Sequence, residues 1–312
     1  MTQFLIPLCY LTLYIVWGST YFFIKVAVET LPPITLLGLR FTIGGALLLG
    51  LAALTGRIRT RPTWRQLGAS ALLGALLLLG GNGLITVAEK KVDSYLVALI
   101  LASTPMVVAF YDRVLLNKRI SAVRLAGIAA GIVGVAFLLY TGDGFSGALS
   151  PHMLLVIAGI ACWGLATSLG HAIKAYPDPL TNSAIQMILA GVFSLGGSLF
   201  FAPPPAVLLG QVTPQSGWAA AYLAVVGSLA FGAYTYLIAH EPAIRVSSYS
   251  LVNPLIATML GLLVGNETAV PLLGIGLPLV LLGTTLMLYG EAALARFKRR
   301  RSEAAASLSG PD

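Results

Sequence analysis

The chain has 312 residues, of which 57% are hydrophobic and only 10% charged, whereas a soluble domain carries about 25% charged residues. That composition excludes a soluble domain, a disordered chain, a disulfide scaffold and a coiled coil, and leaves a polytopic membrane protein with little loop to hold polar machinery. The net charge of +8 lies between apolar runs, where it serves as a topogenic signal rather than a nucleic-acid surface.

Continuously apolar segments of about 20 residues cross the bilayer only as helices. The first runs from about Phe4 to Val28 and carries Lys25; Glu29-Thr30-Leu31-Pro32-Pro33 follows as a turn. It lacks a basic leader and is too long for a signal peptide, so it reads as a retained helix. The second reaches about Leu54, broken only by Arg40, and precedes a linker with Arg57, Arg59, Arg61 and Arg65. The third ends near Ala88, before Glu89-Lys90-Lys91, and the fourth lies between Asp93 and Asp112-Arg113. The fifth covers about Ile120 to Tyr140, with a turn at Gly142-Asp143-Gly144, and the sixth about Pro151 to Ile173.

Pro177-Asp178-Pro179 opens the seventh, which stops at Pro203-Pro204-Pro205. The eighth spans about Gly217 to Ala239, the ninth about Val246 to Leu263, and the tenth follows Glu267 and Pro271 and ends near Ala292. The expected fold is therefore all-α and integral to the membrane, with ten transmembrane helices. The basic linkers collect on one side, which places both termini in the cytoplasm of a cell whose inner membrane the chain crosses. Residues 296–312 read as a basic, disordered cytoplasmic tail.

The two halves, 1–146 and 147–295, align at an offset of 146 to 149 residues. Trp17-Gly18 falls on Trp163-Gly164, Pro105 on Pro254, Asn117-Lys118 on Asn266-Glu267, and Gly134 and Tyr140 on Gly283 and Tyr289. Five spans per half, an odd number, invert the second half. Inverted repeats are the architecture of alternating-access carriers, with substrate bound near the midplane.

Within this pattern, Trp17-Gly18-Ser19-Thr20-Tyr21-Phe22-Phe23-Ile24-Lys25, then Pro32-Pro33 and Leu39-Arg40-Phe41, resembles the opening signature of the EamA-type permeases of the drug/metabolite transporter superfamily. The resemblance covers about Phe4 to Ala295. It implies a ten-helix basket around a central cavity, and a function in exporting small metabolites, amino acids and aromatic amino acids included. Lys118 departs from the pattern, because the family's first repeat commonly has Glu there.

Several residues are candidates for the substrate path. Pro105 removes a backbone donor and frees the carbonyl of Leu101; Pro254 does the same for Ser250. Lipid cannot satisfy those carbonyls, so they must face protein or a wet cavity, with Thr104 and Asn253 beside them. Trp17 and Tyr21, and likewise Trp163, Thr167 and His171, share helix faces at mid-depth. Such a face stacks on a ring or covers an apolar side chain; the alternative is core filling. Asn82, between Gly81 and Gly83, needs a hydrogen-bond partner there, and Tyr234 occupies the comparable depth of the eighth span.

Arg40 sits about 10 Å inside the second span at 1.5 Å per residue, a depth at which a cation faces the bundle interior. It either attracts a carboxylate, in a functional or gating role, or locks the first two spans together, while Lys25 is near enough to the surface to snorkel. Every Asp and Glu stands at a span end or in a loop, which disfavours lipophilic-cation/proton exchange and points to a facilitator or uncoupled exchanger. Cys9 and Cys162 read as small buried residues, and Gly127-x-x-x-Gly131 and Gly261-x-x-x-Gly265 as close helix contacts.

Without a P-loop, metal-ligand spacing or a paired nucleophile, no cofactor, metal, nucleic-acid partner or enzymatic activity is expected. The reading is a secondary transporter, working as a monomer, that exports small metabolites with amino acids foremost. An organic-phosphate or nucleotide-sugar exchanger is the alternative within transport. A membrane enzyme or sensor is the alternative outside it.

Overall fold

The structure, a computed structural model, describes residues 2–140, 150–170, 172–241 and 246–308. His171, the turn at Gly142-Asp143-Gly144 and Arg245 lie outside the described residues. Among those described, the protein is all-helical. Eight helices are long and apolar enough to cross a membrane, and two shorter apolar helices accompany them.

The elements are α1 (Thr2–Ala27), α2 (Pro33–Leu54), α3 (Trp64–Gly74), a π-helical stretch (Ala75–Gly83) running into α4 (Leu84–Ala88), α5 (Ser94–Leu101), α6 (Thr104–Leu116) and α7 (Ala122–Leu138). After the undescribed segment come α8 (Pro151–Gly170), α9 (Pro179–Phe201), the short α10 (Pro205–Gln211), α11 (Pro214–His240), α12 (Tyr249–Leu263) and α13 (Leu273–Leu308). The two shorter apolar helices are α7 and α12.

Local sequence sets these boundaries. Pro33, Pro179, Pro205 and Pro214 all open helices, where the missing N–H costs nothing. Thr63 and Gln66 form a reciprocal capping box at α3. Ser121, Asp178 and Thr213 accept the first free N–H groups of α7, α9 and α11. Asn117 and Asn266, equivalent in the two halves, both adopt left-handed backbone, with φ of 53° and 52°, and end α6 and α12. The Pro triplet does break the uncharged stretch between Thr181 and Ala239, and α10 fills the break. The last helix continues through the basic run to Leu308, where the sequence suggested an irregular tail. Ala304, Ala305 and Ala306 favour that continuation, alanine being the best helix former.

Small residues decide which helices meet. Gly38 and Gly45 of α2 lie against Leu195 and Ile188 of α9, and Gly191 of α9 lies on the backbone of Thr42. Gly127 and Gly134 of α7 touch Gly283 and Gly276 of α13, so this glycine face is used within the chain. Gly80 and Gly81 of the π-helical stretch bring Cys162 and Trp163 of α8 close. The packing has a repeating plan. α1 packs on α11 and α12, while α8 packs on the α3–α4 helix and on α6; α2 pairs with α9 and α7 with α13. The outer surface exposes a broad set of Leu, Ile, Val and Phe side chains, among them Leu8, Leu11, Ile132, Phe193 and Leu199, as a lipid-facing surface requires.

Candidate functional site

Trp17 stands at the junction of three helices. Its ring centroid is 5.2 Å from Phe231 and 5.2 Å from Tyr234, both on α11, and 5.0 Å from Tyr249 on α12. Two of these contacts are edge-to-face, the geometry that the ring quadrupoles favour. Asn253, one turn after Tyr249, is buried; with its amide turned to suit its neighbours it donates to the Tyr249 and Tyr14 carbonyls at 3.2 Å. Trp17 and Tyr234 thus lie in ring contact, and Asn253 is bonded one turn from Tyr249. Phe231 and Tyr249 were not singled out in the sequence.

Trp163 belongs to a second locality. Gly81 lies so close to its indole that a Cβ there would be 2.9 Å from Trp163 Cε3. Trp163 makes no ring contact with the Trp17 group among the described residues. Asn82 follows within the π-helical stretch, a backbone form that recurs at functional sites. Its carbonyl accepts from Thr86 Oγ1, and the Trp163 carbonyl accepts from Thr167 Oγ1.

The two prolines act differently. Pro105 does not merely kink a helix: α5 ends at Leu101 and α6 begins at Thr104. The freed Leu101 carbonyl accepts the Thr104 hydroxyl, and the Ile100 carbonyl accepts Ser103 Oγ. Local hydroxyls donate to the carbonyls freed at this break. Pro254 lies inside α12, which stays continuous through it.

The charged residues depart most from expectation. The Lys25 Nζ reaches the turn before α5, donating to the Val92 carbonyl at 2.9 Å and lying 3.4 Å from Asp93. Arg40 faces the interior as expected, 5% exposed, with its guanidinium carbon 5.3 Å from the Phe41 ring centroid, and Nη1 has no hydrogen-bond partner. Glu89 corrects the sequence reading. It stands one residue past an apolar run and beside two lysines, but its side chain is fully buried, and neither carboxylate oxygen has a hydrogen-bond partner. The inference of an uncoupled carrier from a lack of buried acids thus loses its premise. One signal for Glu89 was available: it falls four residues after Ile85 on the same buried helix face.

Tyr21 packs against the cluster that holds Ile85, Tyr95 and Ile100, whereas Trp17 and Tyr249 pack with Leu13, Leu237 and Val246. The aromatic group comprises Trp17, Phe231, Tyr234 and Tyr249, and Arg40 and Glu89 are buried charges elsewhere in the helix bundle. A separate cleft lies at the other end of α1, lined by Tyr10, Tyr14, Glu241, Ser248 and Tyr289 among others.

The EamA-like transporter family matches this chain twice, over residues 5–140 and 150–289. The chain is 35% identical over 282 residues to the uncharacterized inner membrane transporter YedA of Escherichia coli (strain K12), covering 89% of each. It is 26% identical over 298 residues to the uncharacterized transporter YvbV of Bacillus subtilis (strain 168), covering 94% of this chain and 92% of that one. It is 25% identical over 288 residues to the chloroplastic WAT1-related protein At3g02690 of Arabidopsis thaliana, covering 88% and 67%. A solved crystal structure shares the fold, with a TM-score of 0.63 at 18% identity over 90% of this chain and 96% of that one.

Proposed function

Because this chain belongs to the EamA-like transporter family, and is thus a membrane transporter for small molecules, we propose that it exports neutral amino acids across the inner membrane by alternating access. The observation that carries the substrate reading is the aromatic group around Trp17, built from α1, α11 and α12. Such a group covers an apolar or aromatic side chain. The buried cation Arg40, on α2, suits a carboxylate.

The architecture in this proposal is ten transmembrane helices in two inverted five-helix repeats, 1–146 and 147–295, with both termini cytoplasmic and a monomer as the working unit. The exchange of partners supports it: α1 relates to α11 and α12 as α8 relates to the α3–α4 helix and α6, while α2–α9 and α7–α13 are self-paired. Rocking of one repeat against the other moves the site from one face to the other. Lys25, Arg40 and His171 act in gating or charge balance. Trp17, Tyr21, Asn82, Thr104, Pro105, Trp163, Thr167, Tyr234, Asn253 and Pro254 line the path.

The test is counterflow of labelled amino acids, phosphate esters and nucleotide sugars in proteoliposomes containing the full chain. Neutral amino acids are expected to exchange. Exchange of phosphate esters alone would overturn the substrate reading. Cysteine labelling at both termini from the cytoplasmic side tests the topology, and labelling of one terminus from outside would overturn it.

A further inference from the structure

We infer that the cleft at the N-terminal end of α1 is a loading vestibule for the transported amino acid, and that the hydrogen bond between Tyr14 and Ser248 is its inner door. This rests on the amino-acid reading above and adds how the molecule reaches the aromatic group.

The cleft has a volume of about 670 Å³, within the range of about 300–1,000 Å³ typical of small-molecule pockets. Pro7 and Leu11 of α1 give it an apolar wall. Tyr10, Tyr14 and Tyr289 add three phenol rings, and Ser248 a further hydroxyl. Glu241 supplies the one carboxylate of the lining among the described residues. An ammonium is attracted by a carboxylate and by ring faces. Phenol and serine hydroxyls donate to a carboxylate, and rings with an apolar wall cover a side chain. These three kinds of group match the three parts of a zwitterion with an apolar or aromatic side chain.

Three contacts make Tyr14 and Ser248 the door. First, their hydroxyl oxygens lie 2.5 Å apart, which joins α1 to the start of α12. Ser248 is the N-cap residue of α12, where a serine ordinarily accepts a backbone N–H of the first turn. Its side chain makes no such bond, and its hydroxyl meets Tyr14 instead. Second, the turned Asn253 amide donates to the Tyr14 carbonyl at 3.2 Å. Tyr14 is thus tied to α12 by its backbone and by its phenol.

Third, the aromatic group lies directly behind. Tyr249 follows Ser248 in the chain, and its ring centroid is 5.0 Å from that of Trp17, one turn after Tyr14 on α1. Tyr10 of the cleft packs on the same apolar cluster, Leu13, Leu237 and Val246, as Trp17, Tyr234 and Tyr249 do. The cleft and the aromatic group are neighbours, with Tyr14 and Ser248 on their common boundary. One neutral hydrogen bond suits a latch, since its net worth shifts a closed-to-open ratio only about two- to tenfold.

The experiment reads the door by thiol labelling of the full chain in sealed membrane vesicles. The reporter is Ala233→Cys, beside Tyr234 in the cluster shared with Trp17; Cys9→Ala and Cys162→Ala remove the chain's own two thiols. A membrane-impermeant maleimide is applied to the face that carries the N-terminus. Tyr14→Phe and Ser248→Ala are each expected to speed labelling about two- to tenfold, and the double variant no more than either one. Ser248→Thr, which keeps the hydroxyl, is expected to label at the reporter's own rate. Unchanged labelling in Tyr14→Phe, or additive effects in the double variant, overturns the door. Faster labelling in Ser248→Thr as well means general loosening and overturns it too.

Counterflow of labelled L-phenylalanine in proteoliposomes reads the vestibule. Glu241→Gln is expected to raise the KM about tenfold or more. An unchanged KM assigns the cleft to lipid and overturns the vestibule. If the wild type moves no amino acid, the substrate reading and the vestibule fall together, while the labelling, which needs no substrate, still decides the door.

Discussion

Glu267 caps the helix that begins at Ser94: its Oε1 accepts the Ser94 backbone N–H at 2.9 Å, and its Oε2 the Tyr95 N–H at 3.2 Å. The two residues lie at distant places in the chain, so the bonds tie the end of α12 to the start of α5. A carboxylate at a helix N-terminus satisfies orphan donors and meets the positive end of the dipole. The equivalent position in the first half is Lys118, just past the end of α6, which instead pairs with Asp112 of α6 at 2.7 Å. The repeat is thus locked by an acid at one of two related places only. Glu267→Gln should destabilise by about 1–2 kcal/mol, read as a lower melting temperature, whereas Lys118→Gln, on an exposed pair, should cost under about 1 kcal/mol. Equal effects would show that the bonds to α5 contribute nothing particular.

Removal of the indole at Trp17 should weaken both transport and folding. Trp17→Ala loses contact with Phe231, Tyr234 and Tyr249, each worth about 0.5–1.5 kcal/mol beyond area burial. The expected result is a KM raised by about tenfold or more, partly restored by Trp17→Phe. Trp163→Ala and Asn82→Ala should lower flux in protein that still elutes as a folded species. Normal flux in both of the latter variants would remove the second locality from the path.

The α7–α13 contact should resist even one methyl group. A Cβ on Gly283 would lie 2.7 Å from the Gly127 carbonyl oxygen and 2.7 Å from the Gly131 nitrogen, both backbone atoms. Gly283→Ala should therefore cost about 1–3 kcal/mol. Gly50→Ala, with nothing within 4 Å of its Cβ, should be neutral or stabilising, since alanine is the better helix former. Paired melting curves check the contrast.

Asp178 gives a pH signature. Burial pushes its carboxyl pKa up, but bonds from the Thr181 N–H and hydroxyl and the nearby Arg57 outweigh that and hold it below the usual range. A pKa depressed in the folded state contributes stability above the unfolded value of about 3.9, and that stability is lost as pH falls through the folded value. Asp178→Ala should cost about 1 kcal/mol at neutral pH. The gap to wild type should close below about pH 4; a gap unchanged at acid pH would mean the charge plays no part.

The apolar runs of about 20 residues and the turns of Pro, Gly and Asn already determined an all-helical membrane chain, because hydrocarbon satisfies no backbone group. The alignment of Trp17 with Trp163 and of Asn117 with Asn266 was equally visible, since duplicated segments repeat their helix ends and their mid-helix aromatics. The π-helical stretch was not, because π and α turns are built from the same apolar residues. Nor was the break at Leu101, where Pro105 looked like a simple kink until Thr104 and Ser103 took up the freed carbonyls.

Glu89 is the clearest case of what folding alone decided. In sequence it is an acid next to Lys90 and Lys91 at a span end, where water is the default neighbour. Whether a helix end meets water or protein depends on which other helices close over it. Those packings are long-range, and no local pattern records them. Hydrophobicity chose the solvent for each segment; tertiary packing chose the neighbours, and with them the buried charges.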